Sequence, residues 1–290
     1  MFSKEERCLL RNNQLAEVIC QLRFPQILKI GAELPVEFQE LIRDEYPQFS
    51  QRTEPAMPNM PGMPLPPNSL SASAPKLIGT PPPGRKMPIP TPQGTQSGTP
   101  NYQFASADGV WRINLIGNFI SLSCNRYTCW EDFAKRLDKP LASFIQIYKP
   151  AYFERIGLRY LNFISRKSLS LEDVPFRNLF QNMYLGPLAD EEVPETTALR
   201  CGVDAELSIR GGCKVKLHAG PGMIMRNTPQ GTQQDKEVRF IFDQDLYMNG
   251  NVPVNYSAGA LQTLHAQAYS IFRGAITDTL FDAMDPEPIP

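Results

Sequence analysis

The sequence lacks the short motifs that identify the common catalytic and nucleotide-binding sites. It contains no P-loop, no G-x-G-x-x-G after a predicted strand, no G-x-S-x-G, no H-E-x-x-H and no EF-hand loop. These absences exclude the most familiar arrangements for phosphate, dinucleotide, ester, zinc-protease and calcium chemistry. We therefore expect a non-enzymatic interaction or sensor protein that needs no cofactor.

Histidine is scarce, and cysteine pairs are lacking. The chain has two histidines, and none of its six cysteines belongs to a C-x-x-C pair. Zinc sites combine Cys and His at short regular spacings, so we expect no metal site. We interpret the cysteines as free thiols of a reducing compartment: Cys8, Cys20, Cys124, Cys129, Cys201 and Cys213.

Neither charge nor hydrophobicity is concentrated along the chain. The 29 Lys and Arg residues nearly balance the 30 Asp and Glu residues, which leaves a net charge of −1 and no bulk attraction for nucleic acid. No run approaches the roughly 20 apolar residues of a membrane-spanning helix, and the first residues lack the apolar core of a secretory signal. We expect a cytoplasmic protein that binds neither nucleic acid nor membrane.

Two turn signals predict a three-stranded antiparallel meander. Asp108-Gly109 suits a type I′ turn and Gly117-Asn118 suits a type II′ turn. Counting outward from these turns places Tyr102 opposite Leu115, and Leu115 opposite Ile120. Both registers put the same apolar side chains on one face, which supports them: Tyr102, Phe104, Trp111, Ile113, Leu115, Ile120, Leu122 and Cys124.

Polar side chains occupy the opposite face of the meander. An antiparallel sheet commonly keeps one face in water, so we interpret this face as a solvated surface. The alternative is a surface that binds a partner or a small ligand through Arg112, Asn114 and Ser121. The whole polar face comprises Gln103, Arg112, Asn114, Ser121 and Ser123.

An amphipathic helix is predicted after the meander. Thr128 and Glu131 have the spacing of a capping box. Pro140 interrupts the helical pattern, so we expect a kink or two short helices there. The apolar stripe would pack on the apolar face of the meander: Trp130, Phe133, Leu137, Leu141, Ile145 and Tyr148.

The remaining patterns complete an α+β fold of antiparallel sheets, each packed on one face by an amphipathic helix. Strands are predicted at residues 17–24 and 155–160, and alternating strands from Leu199 lead to a long helix that begins at Ser257. Similar Glu-then-Arg patterns in the two early strands raise the possibility of two duplicated halves. We expect the tail after Asp285 to be loose.

The predicted organisation divides the chain into five parts. The first half consists of a strand–helix unit at 1–49 and of the meander, helix and strand at 101–165, with a disordered insertion at 50–100 between them. A connector at 166–195 then leads to a second half at 196–290.

The predicted insertion is rich in proline. Half of the chain's 28 prolines fall there, with almost no charge, and such a segment cannot bury enough apolar surface to offset its ordering entropy. Three uses stay open: a stiff spacer, a P-x-x-P arm that docks on an aromatic groove, and a Cu(I) site of regularly spaced methionines. The prolines of the docking arm recur every third residue: Pro55, Pro58, Pro61, Pro64 and Pro67.

A hairpin in the second half supplies a candidate catalytic pair. A three-residue loop at 210–212 places Asp204 opposite His218. Such pairs are commonly surface contacts, although an Asp–His pair can also orient a general base. A hydrolase or nuclease that uses Asp204, His218 and Asp243 is therefore an alternative function. His265, in the last helix, is interpreted as a half-buried, hydrogen-bonded histidine.

Three arginines support another alternative, a binder of small anionic ligands. Arg23 lies in the first of the two early strands, and Arg155 and Arg159 lie in the second. The competing interpretation is that these arginines pair with Glu17 and Glu154.

A set of short stretches spans nearly the whole chain outside the insertion: residues 17–24, 111–115, 119–123, 127–133 and 155–162, with 264–265 and 276–277 near the end. As a set they resemble a sporadically distributed, uncharacterised family of prokaryotic proteins. The resemblance implies no catalytic residues. The scattered occurrence of that family implies a phage-defence or toxin–antitoxin-like locus. We expect an unidentified protein partner, and homo-oligomerisation stays open.

Overall fold

The computed structural model describes residues 1–54, 99–228 and 231–289, and these form an α+β fold. Within these ranges the helices are α1 (Leu28–Ala32), α2 (Val36–Ile42), α3 (Trp130–Tyr148), α4 (Ser257–Ala275) and α5 (Asp278–Ala283). The strands are β1 (Cys8–Leu10), β2 (Leu15–Arg23), β3 (Gln48–Glu54), β4 (Thr99–Ala105), β5 (Trp111–Ile116), β6 (Phe119–Cys124), β7 (Phe153–Ile164), β8 (Val203–Ser208), β9 (Lys214–Thr228), β10 (Gly231–Val252) and β11 (Pro286–Pro288).

Nine of these strands form one antiparallel sheet that runs through both predicted halves. Its order is β3-β4-β5-β6-β2-β7-β10-β9-β8, and β1 and β11 form a separate two-stranded sheet. The predicted halves meet where β7 pairs with β10. On one side of the sheet the strands run outward from β2 as β6, β5 and β4. On the other side they run outward from β7 as β10, β9 and β8. In both cases the strand that comes last in sequence lies next to the centre. This order is the one that a duplication would produce, and the duplication itself stays a prediction.

The predicted registers of the three hairpins are confirmed, but the predicted type I′ and type II′ turns of the meander are wrong, because neither Asp108 nor Gly117 has a positive φ. Tyr102 pairs with Leu115, and Leu115 pairs with Ile120. In the second half Asp204 pairs with His218. A slip of one residue in any of these hairpins would move every apolar side chain to the other face, so the hydrophobic pattern specifies the register strongly.

The helices α3 and α4 lie on the same face of the large sheet. The rings of Phe144 on α3 and Phe24, just after β2, have centroids 4.7 Å apart. Phe272 on α4 meets Phe242 on β10 edge to face, with centroids 5.7 Å apart. The core that results is continuous across both halves. Three residues of β2 and the residue that follows this strand are wholly buried at the centre of this core: Val18, Cys20, Leu22 and Phe24.

The interpretation of the polar meander face as a solvated surface is wrong. Asn114 is 4% exposed and Ser121 is 1% exposed, and Gln103 and Ser123 are also buried, whereas Arg112 is half-buried. Gln103 Nε2 donates to Asn114 Oδ1 at 2.8 Å, and Asn114 Nδ2 donates to Ser121 Oγ at 3.4 Å. These groups can be buried because they satisfy one another in a row across the strands.

Helix α3 continues through Pro140, so the prediction of two short helices is wrong. Proline has no N–H, so the carbonyl of Arg136 one turn earlier loses its helical donor. The hydroxyl of Tyr46 donates to that carbonyl at 3.0 Å. The predicted capping box is also wrong, because Cys129 is the N-cap residue and makes no side-chain cap. Glu131 instead bonds Arg7.

Three strands were not predicted. Strand β3 lies where the insertion was expected to begin, and β1 pairs with β11 in the C-terminal tail, so the loose tail is a wrong prediction for residues 286–288. Strands β1 and β11 are only three residues long, which is too short for alternation to be recognised from sequence. Leu199, expected in a strand, is fully exposed before β8.

Candidate functional site

Three polar side chains interrupt the apolar face of the large sheet. Tyr160 and Asn162 lie on β7, and Gln244 lies on β10 directly opposite Tyr160. All three are buried. Asn162 Nδ2 donates to the carbonyl of Phe242 at 3.2 Å. Because a buried polar group is costly without a hydrogen-bond partner, this cluster requires partners that the surrounding apolar side chains cannot supply.

A cavity of about 90 Å³ lies over these three side chains. The first turn of α3 and the middle of α4 form its sides, and residues 7–10, which include β1, line it from the N-terminal segment. Liquid water occupies roughly 30 Å³ per molecule, so the cavity has room for a few waters or for a small molecule. Its charged and aromatic lining includes Arg7, Tyr127, Trp130, His265 and Tyr269.

His265 has a defined protonation state in the wall of this cavity. Arg7 Nη1 lies 2.8 Å from His265 Nε2, and the hydroxyl of Tyr160 lies 2.8 Å from Nδ1. A guanidinium group only donates hydrogen bonds, so Nε2 accepts and the single ring proton is on Nδ1. Trp130 stacks on the imidazole, with ring centroids 4.5 Å apart and planes within 7° of parallel. His265 is thereby held neutral, in one tautomer and one orientation. The expectation of a hydrogen-bonded histidine is confirmed.

The pKa shifts agree with this network. Burial is the main reason why the pKa of His265 falls to about 3, Arg7 lowers it further, and Glu131 opposes the change. Burial also raises the pKa of Tyr160 well above its usual value, with a further contribution from Tyr127. Both side chains are therefore uncharged near neutral pH.

The charge of Arg7 is compensated at the edge of the cavity. Its Nη2 donates to a carboxylate oxygen of Glu131. Burial acts to raise the pKa of Glu131, but the hydrogen bond from Arg7, a backbone hydrogen bond and the charge of Arg7 together outweigh burial, and the pKa is lowered. Arg7 and Glu131 thus form an ion pair whose charges cancel, beside the neutral His265.

Gln244 places in the cavity wall a hydrogen-bond acceptor that no described residue uses. Its side chain is 2% exposed, and its Oε1 accepts no hydrogen bond from any residue that the structure describes. An orphaned buried acceptor costs about 1–3 kcal/mol. A donor from a bound molecule would remove that cost, so Gln244 is the group that a ligand is expected to meet.

The segment that covers the cavity is anchored to α4 and to the C-terminal residues. Strand β1 pairs with β11 over three residues. Arg11, just after β1, forms ion pairs with Asp285 and Glu287. The hydroxyl of Tyr269 on α4 donates to the carbonyl of Glu6 at 3.0 Å. Together with the contacts of Arg7, these bonds hold the cover in place over the cavity.

The residues predicted for hydrolytic chemistry lie in one row on the other face of the sheet. His218 pairs with Asp204 on one side and with Asp243 on the other, and its Nδ1 lies 2.8 Å from Asp204 Oδ1. The side chain of Asp204 is 80% exposed, and Asp243 is bound by Arg159. Among the residues that the structure describes, His218 has no hydroxyl or thiol nucleophile bonded to it.

The predicted pairing of Arg155 and Arg159 with Glu17 and Glu154 is wrong. Arg159 binds Asp243 through two nitrogens, with Nε 2.8 Å from Oδ1, and Arg155 Nη2 lies 2.7 Å from Asp245 Oδ1. Both of these aspartates lie on β10, which was not predicted to lie beside β7.

The remaining predictions concern the docking arm, the cysteines, metal binding and membrane crossing. The docking-arm prolines Pro55, Pro58, Pro61, Pro64 and Pro67 lie outside the described residues, as do the methionines between them. All six cysteines are free thiols. In the part of the chain that the structure describes, no group of three or more His, Cys, Asp or Glu could hold a metal ion. None of the helices described has the length and hydrophobicity that crossing a membrane requires.

No protein-family model matches the chain, and no curated protein matches it. The resemblance noted from the sequence therefore stays a prediction, and the functional argument depends on the geometry of the cavity.

Sequence reasoning missed Gln244 and the role of Arg7. The available signal for Gln244 is a polar residue at an inward position of a strand, between the inward Phe242 and Leu246. Nothing in the N-terminal residues indicates that Arg7 reaches His265, because the two residues are 258 positions apart.

Proposed function

We propose that the protein is a non-enzymatic sensor that binds a small uncharged molecule in the cavity between α3 and α4. The observation that carries the proposal is the buried, unpartnered Oε1 of Gln244 in the wall of that cavity. Ligand pockets are typically apolar and aromatic, with a few placed polar groups. This cavity has that character.

The charge balance of the cavity favours a neutral ligand. Arg7 is already paired with Glu131, and His265 and Tyr160 are uncharged. A charged ligand would lose its hydration without gaining a counter-ion. The ligand class is therefore a small neutral molecule with an N–H or O–H donor for Gln244 and a flat apolar part for the aromatic wall.

The cover over the cavity offers a route from binding to signalling. The residues that line the cavity come from β1, α3 and α4 as well as from the central strands, so a bound ligand would contact several elements at once. A ligand that fits only when β1 is seated would shift the population toward the closed cover. The protein partner that we expect from the sequence would then read the state of this cover.

Two matched pairs of small molecules test the proposal. Acetamide and benzamide donate N–H groups, whereas acetate and benzoate have the same shapes but carry charge and only accept. We expect the amides to bind saturably and the carboxylates not to bind. The readout is the indole N–H resonance of Trp130, which lies on the cavity wall, whereas Trp111 lies under Arg136 elsewhere and serves as the internal control.

A pair of variants assigns the effect to the cavity. Gln244→Leu removes the acceptor at similar volume and should abolish the amide-dependent shift of Trp130. Gln181→Leu changes an exposed glutamine outside the cavity and should leave the shift unchanged. Equal shifts in both variants, or equal binding of amides and carboxylates, would contradict the proposal.

The enzyme alternative stays a second candidate because Asp204, His218 and Asp243 share one row of the sheet. Turnover of a nucleotide or peptide that is lost in His218→Ala would support it and would displace the sensor proposal. A defence-related locus, homo-oligomerisation and a docking role for the proline-rich arm remain parts of the proposal drawn from the sequence.

A further inference from the structure

We infer that the sheet face opposite the helices carries a second binding site, for an oxyanion, where Gln21, Arg23 and Arg155 surround the contact between β2 and β7. This site is separate from the cavity and differs from it in charge. It would take a phosphate or carboxylate group.

A hydrogen-bonded polar row leads across the strands to this point. Gln103, Asn114, Ser121 and Gln21 lie opposite one another on four neighbouring strands, and the next residue in the row, on β7, is Gly157. The bonds from Gln103 to Asn114 and from Asn114 to Ser121 satisfy the first part of the row. The row thus ends at Gln21.

Gln21 has an unused donor. The side chain is 3% exposed, and its Nε2 has no hydrogen-bond partner among the described residues. Its Oε1 accepts from Arg23 Nε at 3.2 Å, which fixes which end of the amide is the oxygen. A buried N–H group without an acceptor is costly. The missing group must therefore be an acceptor.

Arg23 and Arg155 add unused donors beside Gln21. Arg23 on β2 lies directly opposite Arg155 on β7, two residues along the strands from the pair of Gln21 and Gly157. Only Nε of Arg23 and Nη2 of Arg155 make hydrogen bonds in the described part of the chain. The Nη groups of Arg23 and Nη1 of Arg155 remain available, and every one of these groups donates.

The two guanidinium groups of Arg23 and Arg155 lie near the carboxylates of Asp245 and Glu154, and of these two carboxylates only Asp245 hydrogen-bonds to either arginine. Burial, followed by the nearby Arg155, lowers the pKa of Arg23, with Asp245 and Glu154 opposing the change. An anion bound here would relieve the repulsion between the two arginines.

The guanidinium group of Arg155 is held in one orientation by two contacts. Its guanidinium lies over the ring of Tyr247, 4.6 Å from the centroid, while Nη2 bonds both oxygens of Asp245. Gly157 leaves the space for it, since a Cβ at that position would lie 2.2 Å from Arg155 Nη1. A fixed guanidinium loses less side-chain entropy when it binds an oxyanion.

The test is calorimetric titration of the full chain with inorganic phosphate and, in a parallel arm, with succinate, both at constant ionic strength. We expect saturable binding of at least one probe, and the arm that binds more tightly identifies phosphate or carboxylate as the ligand class. Phosphate also stabilises proteins by exclusion from their surface, but that effect does not saturate.

Three variants locate the binding. Arg23→Met and Gln21→Leu each remove a donor and should weaken binding about tenfold or more. Gly157→Ala keeps every charge but displaces the Arg155 guanidinium, so it should weaken binding as well. Arg43→Met, on an exposed arginine of α2, is the matched control and should bind as the unaltered protein does.

Far-UV circular dichroism checks that each variant folds. If Arg23→Met fails to fold, Gln21→Leu decides, because it replaces an unpartnered amide with an apolar side chain of similar size. Absence of saturable binding by both probes would overturn the inference. Binding that is equal in Gln21→Leu, Gly157→Ala and the control would overturn it too.

Discussion

The buried His265 should make the protein markedly less stable in mild acid, and one substitution should remove that effect. Its pKa in the folded protein is about 3, against an ordinary value of 6.5. The folded pKa is lowered, so the unfolded chain takes up a proton that the folded protein refuses. The histidine therefore favours folding above pH 6.5, and that contribution is lost as the pH falls from 6.5 toward 3.

The magnitude follows from the width of this window. Each pH unit between the two pKa values is equivalent to about 1.36 kcal/mol. At about pH 5 the folded histidine is still neutral, so the unfolded-state titration alone lowers the free energy of unfolding by about 2 kcal/mol relative to neutral pH.

Urea unfolding at neutral pH and in mild acid measures the effect. We compare the unaltered protein with His265→Gln, which retains hydrogen-bonding groups but does not titrate. The carboxylates contribute equally to both proteins, so the difference between their pH dependences isolates His265. His218→Gln removes the only other histidine, on the opposite face of the sheet, and should retain the full effect.

The result that refutes this reasoning is a common pH dependence for the unaltered protein and His265→Gln. It would mean that His265 is protonated in the folded state and that Arg7 does not donate to it.

Three further predictions concern stability and are read from urea unfolding curves. Leu22→Ala empties a wholly buried position and should cost roughly 2–5 kcal/mol; a loss below 1 kcal/mol would contradict the central position of β2. Asp243→Asn leaves Arg159 buried without its counter-charge and should cost about 3 kcal/mol, and the double variant with Arg159→Met should recover part of this loss. An additive double variant would show that the pair is not coupled. Asp204→Asn alters a side chain that is 80% exposed and should cost less than about 1 kcal/mol, so a larger loss would reveal a structural role for the Asp204–His218 contact.

The parts of the fold that depend on short-range pattern could be predicted. The turns at Asp108-Gly109 and Gly117-Asn118 limit the loop lengths, and alternation then leaves one register that keeps the apolar side chains together. The same reasoning placed Asp204 opposite His218. Both cases concern strands that are adjacent in sequence, where the turn itself specifies the pairing.

Pairings between distant strands could not be predicted. Strand β2 joins β7, and β7 joins β10, through backbone hydrogen bonds that any side chain permits. The partners of Arg155 and Arg159 were therefore predicted wrongly, because Asp243 and Asp245 become neighbours only when β10 takes its place. The continuity of α3 likewise depends on Tyr46, which lies 90 residues before the carbonyl that it satisfies.

The candidate site was predicted only in part. His265 was expected to be half-buried and hydrogen-bonded; it is hydrogen-bonded, but it is buried rather than half-buried. The row of Gln103, Asn114 and Ser121 was recognised as polar but was assigned to solvent, since a sequence shows the alternation of faces but not what lies over each face.

By itself the sequence determined the α+β class, the hairpin registers and the set of apolar side chains that share one face of the meander. These properties follow from periodicity and turn chemistry, which act over a few residues. Only the tertiary structure decided that both halves share one sheet and that Arg7, Glu131 and His265 meet over Gln244. The reason is that burial, charge compensation and unpaired hydrogen-bonding groups are properties of the packed chain. They arise from residues that are far apart in sequence, so no local pattern records them.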